Sequence, residues 1–122
     1  MNTPRNLSIQ LASGIEAPER VSQAISTATI AMASGVKVSL WLSGGASDFA
    51  LAGNAEKFEL PHAAPLAEQL ASLIEGATVT LCSQCAKRRN INEGDQIAGI
   101  RLAGAAAWVE EITQENVQAL IY

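Results

Sequence analysis

Several residue types on which common activities depend are nearly missing from this sequence. It has one histidine, two cysteines, two tryptophans, one tyrosine and two phenylalanines in 122 residues, and a net charge of -4. A single histidine with no G-x-S-x-G elbow argues against a Ser-His-acid hydrolase. An acidic chain whose only basic cluster is Lys87, Arg88 and Arg89 lacks the basic face and aromatic platforms that hold nucleic acid, so no nucleic-acid partner is expected. Neither G-x-x-x-x-G-K-[ST] nor G-x-G-x-x-G occurs, and no cofactor is expected. No apolar run approaches the ~18 residues of a membrane span. The opening "MNTPRNLSIQLASG" lacks the basic and apolar regions of a secretory leader. The expectation is a cytoplasmic protein without a membrane partner.

What the chain does have is 48% hydrophobic residues and a regular alternation of strand and helix patterns. With no internal repeat, linker or low-complexity tract, residues 1–122 read as one domain. "LSIQLA" (7–12) reads as a first strand. In "APERVSQAISTATIAMASG", Val21, Ala24, Ile25, Ala28 and Met32 recur at helical spacing, with Pro18 in the first turn and Gly35 as a stop. Ile30 lies opposite that stripe. "VKVSLWL" (36–42) reads as a strand buried on both faces. A 22-residue stretch follows, in which "SDFALA" suits one or two helical turns. "PLAEQLASLIEG" is an amphipathic helix with Leu66, Leu70, Leu73 and Ile74 on one face. "ATVTLC" is a third strand and "SQCAKRRN" begins the next helix. "IAGIRLA" (97–103) precedes a helix in which Ala105, Trp108, Val109 and Ile112 share a face, and "NVQALIY" closes the chain as a strand. This order predicts an α/β fold of three layers, helices packing on both faces of a mostly parallel five-stranded sheet through right-handed crossovers.

Both cysteines fall at one junction, in "ATVTLCSQCAKRRNI" (77–91). In a reducing compartment a close pair suggests catalysis, redox cycling or metal binding more than a permanent crosslink. Cys82 ends a predicted strand and Cys85 lies in the first turn of the following helix, at the carboxyl edge where open α/β sheets gather reactive groups. Backbone N–H groups at the helix start and nearby cations both favour an anion, so Cys82 is expected to be a thiolate nucleophile. Arg89, one turn beyond Cys85, is the cation expected closest to the sulfur. A structural zinc wants four ligands. Two cysteines, His62 and a carboxylate such as Glu59 would have to converge, or two subunits contribute a pair each, and no metal is expected within one chain. His62 is otherwise a loop residue beside Pro61, or a base or hydrogen-bond donor to Cys82. "SGGAS", after the second strand, offers backbone N–H groups to an anion, and Asp48 beyond it suits a cap or turn.

The helix, glycine, strand, then cysteine and basic helix of "PLAEQLASLIEGATVTLCSQCAKRRNI", with "VSLWLSGGASDFALAG" before it and "ENVQALIY" after, resembles the DsrE/DsrF-like family along essentially the whole chain. That family includes sulfur-relay proteins of the TusD type and small proteins labelled "predicted peroxiredoxin". The resemblance implies flavodoxin-like layering and homo-oligomers, trimers or hexamers. It further implies a persulfide carried on Cys82 and exchanged with sulfur donor and acceptor proteins, a sulfurtransferase activity. Relay members of the TusD type typically lack a cysteine at the position of Cys85, whereas a C-x-x-C subgroup has one. A second cysteine in reach would attack a persulfide on Cys82, releasing sulfide and leaving a disulfide. Two alternatives therefore stand beside sulfur relay: a thiol-disulfide protein cycling Cys82–Cys85, and a non-catalytic oligomeric binding or scaffold module.

Overall fold

A computed structural model describes residues 5–122. Residues 1–4, which open the stretch read above for a leader and for the span of the domain, lie outside the described residues. The chain order is β1 (Asn6–Leu11), α1 (Pro18–Ala33), β2 (Lys37–Leu42), 3-10 turns at Gly44–Ala50 and Ala55–Lys57, α2 (Leu66–Gly76), β3 (Thr78–Cys82), α3 (Ser83–Arg88), β4 (Arg101–Ala103), α4 (Ala105–Ile112) and β5 (Val117–Ile121). The strands form one sheet in the order β4-β3-β2-β1-β5, and every pairing is parallel.

The chain steps in one direction from β1 to β4, with α1 and α2 packed together over β1, β2 and β3. It must then return past three strands to reach the far side of β1. A right-handed crossover in the reverse direction lies on the opposite face, and α4 is found there, bonded through Glu111 to Ser8, Ser39 and Trp41. This gives the three layers expected from the sequence. The strand order departs from that of flavodoxin, where the second and third strands flank the first; here β1 lies between β2 and β5.

The two faces of the sheet differ in chemistry. Ile9, Leu11, Leu40, Leu42, Val79 and Leu81 point to the α1/α2 side and are fully buried with Val21, Ala24, Ile25, Leu70 and Leu73. The register sets Ser8 beside Ser39, Gln10 beside Trp41, Ser39 beside Thr78 and Trp41 beside Thr80, all on the other face. β2 is thus covered on both sides as expected, but by hydrocarbon on one and a polar network on the other.

Helix α1 ends in a Schellman motif: Gly35 at φ +87 donates to Met32 O, and Val36 donates back to Ala31 O. Ile30 is 66% exposed, on the outer side of this helix. The long connection after β2 is a buried turn, with Ala46, Ser47, Phe49 and Ala50 inside and Phe49 edge-on to Phe58. β4 is shorter than the apolar piece "IAGIRLA": Ile97 donates its N–H to Ala50 O and Ile100 plugs the core, leaving Arg101–Ala103 for the ladder. Among the described residues no helix is long and apolar enough to cross a membrane.

Candidate functional site

Because side chains alternate along a strand, Cys82 points to the same sheet face as Thr80, the α4 face, and its strand ends there. α3 begins at the next residue and brings Cys85 back over the edge. Both thiols are free; Cys82 is half-buried and Cys85 is 9% exposed. They open on a cleft of about 220 Å³ at the carboxyl ends of β1, β2 and β3. Gln10, Ser43 and Gly44 form one side of it, Trp41, Ala105 and Trp108 another, and Gln84 and Arg88 the rim on α3.

The sulfur that the surroundings favour as an anion is Cys85. Burial opposes ionisation there but is outweighed by the N–H of Gly44, the S–H of Cys82 and the charges of Arg88 and Arg89, so its pKa falls below the ordinary thiol value. Gly44 N lies 3.3 Å from Cys85 Sγ and Arg88 Nη1 3.9 Å from it. Cys82 is pushed the other way. Its burial is the largest cause and raises the pKa; the N–H of Cys85 works against this, but the side chain and charge of Cys85 raise it further, and the N–H of Gln84 lowers it least. Of the two thiols, Cys85 therefore gives up its proton more readily and Cys82 keeps its own.

This corrects the expectation that Cys82 is itself the resting thiolate. The position at the strand end is as read from the sequence, but the helix start favours the anion less than the loop that reaches in from β2. Gly44 adopts φ +50, and a side chain there would collide with the carbonyl oxygen of Ala12, so glycine is what lets this N–H approach the sulfur. The N–H that the "SGGAS" stretch presents is aimed at the protein's own sulfur, where it favours the anion.

Two further expectations are corrected. Arg89 is not the cation nearest the sulfur: its Nη1 donates to the Cys85 carbonyl oxygen at 3.2 Å, while Arg88 reaches the sulfur. One helical turn places Arg89 over the backbone of Cys85 rather than over its side chain. His62 is exposed at φ +62 in the turn before α2 and does not line the cysteine cleft, so it is no base or donor to Cys82. Among the described residues no three or more His, Cys, Asp or Glu side chains converge to hold a metal.

Next to the cleft, Glu16 accepts the N–H of Gly14 at 2.8 Å and 3.0 Å and braces the Gly14–Gly45 approach. The N–H of Gly14, then its own N–H, hold its carboxyl below the usual range against slight burial, with Arg89 adding attraction. Behind the cleft, Trp41 meets Trp108 edge to face at 5.5 Å, and Arg101 lies over the Trp41 ring at 5.3 Å. The face of α4 expected to be apolar is turned: Trp108 is buried as expected, but Val109 is 53% exposed and Glu111 points inward. The polar sheet face explains the turn, because a carboxylate satisfies its hydroxyl and indole donors where valine cannot. The sequence signal was present in the alternating Ser8, Ser39, Thr78 and Thr80, all on one face.

A family model described as the DsrE/DsrF-like family matches residues 6–118. The crystal structure of the ychN protein from E. coli is similar with a TM-score of 0.72 at 15% identity, over 97% of this chain and 99% of that one. A protein of unknown function, MTH1491 from Methanobacterium thermoautotrophicum, gives a TM-score of 0.70 at 15% identity over 97% of this chain and 99% of that one. BT1422 from Bacteroides thetaiotaomicron, also of unknown function, gives 0.60 at 13% identity over 96% and 94%. At these identities the likeness is one of fold. No curated protein matches the sequence.

Proposed function

Since this chain belongs to the DsrE/DsrF-like family, we propose that it is a cytoplasmic sulfur-relay protein in which the Cys82–Cys85 pair takes up a sulfane sulfur and passes it on. The observation that carries this reading is the placement of two free thiols in one cleft with the Gly44 N–H 3.3 Å from Cys85 Sγ, which favours the Cys85 anion while burial disfavours that of Cys82. Cys82 is the more exposed of the two and meets the donor; Cys85 is the base beside it.

In the first step Cys85 takes the Cys82 proton, and the Cys82 thiolate attacks the outer sulfur of a donor persulfide, R–S–SH. The new bond joins Cys82 Sγ to that sulfur, the donor's S–S bond breaks, and the leaving thiolate R–S⁻ recovers the proton from Cys85. The result is Cys82–S–SH, R–SH and a regenerated Cys85 thiolate. An acceptor thiolate then attacks the outer sulfur, forming its own persulfide and releasing Cys82 as thiolate. Sulfur moves with no net oxidation of the protein.

The same contact supports a second reading. With no acceptor present, the Cys85 thiolate can attack the inner sulfur of Cys82–S–SH, giving a Cys82–Cys85 disulfide and HS⁻; two thiol sulfurs are oxidised and the sulfane sulfur is reduced to sulfide. Thiol-disulfide cycling is then the resting branch of the relay and needs an external thiol to restore the pair. Both branches require the reducing compartment in which unpaired thiols persist. We further propose a homo-oligomer, in keeping with the exposed Ile30, Val109 and Ile121, to be checked by sedimentation velocity.

The test is mass spectrometry of the protein after incubation with a cysteine desulfurase and cysteine. One added sulfur mapped to Cys82 supports relay, and loss of two hydrogens with sulfide release supports the disulfide branch. An unchanged mass under both donor-rich and oxidising conditions overturns both and leaves a binding or scaffold module.

A further inference from the structure

Glu111 lies on α4, one turn beyond Trp108, with 24% of its side chain exposed. Its carboxylate accepts hydrogen bonds from the hydroxyl of Ser8, from Ser39 Oγ at 3.1 Å and from Trp41 Nε1 at 3.0 Å. Arg101 Nη2 stands 3.6 Å away, and Arg101 Nε donates to Thr80 Oγ1 at 2.9 Å. One carboxylate thereby ties β1, β2 and β4 to α4, which among the described residues is the only helix packed on this side of the sheet. On the opposite face the helices pack on the sheet chiefly through hydrocarbon, with Thr27 of α1 hydrogen-bonded to Tyr122 just beyond β5. A charged group with this many donors is a directional device, because its hydrogen bonds fix angles that apolar packing leaves loose.

The direction it fixes is that of the cleft wall. Trp41 is 2% exposed and is held at three points: Glu111 at its N–H, Arg101 over its face and Trp108 at its edge. Both indoles line the cleft into which Cys82 and Cys85 open. The other charged or titratable groups lining it are on α3, namely Cys85 and Arg88, whereas β1, β2 and α4 contribute Gln10, Trp41 and Trp108. The dry side of the cleft is thus aromatic, and its geometry depends on a carboxylate that the cleft does not contain.

We propose that Glu111 is a positioning residue for the cysteine pair, locking Trp41 and through it Trp108 into a water-excluding wall against Cys82. The proposal rests on the sulfur-relay reading for its purpose, since a dry wall protects a sulfane sulfur from solvent and from stray thiols. Its physical content does not: the wall lines the same cleft as Cys82, whose burial raises its pKa.

The experiment compares wild type, Glu111→Gln and Trp41→Phe in the full chain. Glu111→Gln keeps the shape but removes the charge that pairs with Arg101; Trp41→Phe keeps a ring but removes the N–H donated to Glu111. Each is read for its urea midpoint, acrylamide quenching of tryptophan, and the pH dependence of Cys82 alkylation followed by peptide mass spectrometry. The expected result is stronger quenching and a Cys82 titration displaced toward the ordinary thiol range, with alkylation at neutral pH about threefold faster as burial is relieved. A residue that only docks α4 would shift the urea midpoint and leave the thiol titration where it was. An unchanged Cys82 titration in a folded Glu111→Gln protein overturns the proposal. Should that variant fail to fold, an unchanged titration in Trp41→Phe overturns it equally. Failure of the relay reading shows separately, as absence of sulfur uptake by wild type, and leaves these readouts intact.

Discussion

The backbone N–H of Gly44 is aimed at Cys85 Sγ from 3.3 Å, across 41 residues of chain. This contact joins the turn after β2 to the helix after β3, and it is the largest of the causes that lower the Cys85 pKa. Gly44→Ala tests it. At φ +50 with Ala12 O in the way, a methyl group forces the turn outward. The cost is about 2 kcal/mol of stability, the range for a non-glycine residue held in a left-handed conformation. With the N–H withdrawn, the pKa of Cys85 rises, and its alkylation at neutral pH slows. Urea denaturation and a pH series of iodoacetamide reactivity measure the two effects on one sample.

The two arginines of α3 should separate by their geometry. Arg88 lies 3.9 Å from the sulfur while Arg89 is engaged with the Cys85 carbonyl oxygen and attracted to Glu16. Removing a cation makes the thiolate less favourable, so both Arg88→Gln and Arg89→Gln raise the Cys85 pKa, Arg88→Gln by more. The difference shrinks at high ionic strength, because the rim of the cleft is open to screening. Equal shifts in the two variants would mean that distance to the sulfur is not what matters.

The elements of the fold were readable because their signals are local. Val21, Ala24, Ile25 and Ala28 recur at helical spacing within a few residues, and Gly35 stands where the Schellman turn needs it. The site was readable only as far as locality goes. That Cys82 ends a strand and Cys85 starts a helix follows from "ATVTLCSQC"; that the anion belongs to Cys85 depends on Gly44, far away in the chain. Arg88 and Arg89 are adjacent in sequence, and a difference of one residue around a helix separates a contact with sulfur from a contact with backbone. Glu111 binds Ser8 across 103 residues, so no window of sequence contains both partners. Its role follows from the alternation that puts every serine and threonine of the central strands on one face, a pattern that becomes informative once the sheet order is known.

Glu16 gives the molecule an acid-side signature. Its carboxyl titrates below the usual range because Gly14 N–H and its own N–H bind the charged form. A depressed acid contributes stability that is complete above its unfolded pKa and is lost as pH falls through the folded value. Wild type should therefore exceed Glu16→Gln in urea midpoint at neutral pH by a small margin, as befits an exposed group, and the two should converge in acid. A margin that persists below the folded titration would show that the glutamate acts through packing against Gly45 rather than through its charge.

The last prediction separates the roles of the two sulfurs. In Cys85→Ser two effects oppose one another at Cys82. Loss of the neighbouring anion lets its pKa fall, while loss of the base leaves the proton with nowhere to go inside the cleft. Burial, the largest contribution to the raised pKa, is untouched, so Cys82 still resists ionisation and sulfur uptake slows, by about a hundredfold, the low end for removal of one general base. Once formed, the Cys82 persulfide has no resolving thiolate beside it: it persists, no sulfide appears, and an added thiol recovers the sulfur. In Cys82→Ser the remaining thiolate is only 9% exposed, so a donor protein cannot reach it and uptake fails. Time-resolved intact mass and a sulfide electrode read both outcomes. Continued sulfide release from Cys85→Ser, or full uptake by Cys82→Ser, would reverse the assignment of acceptor and base.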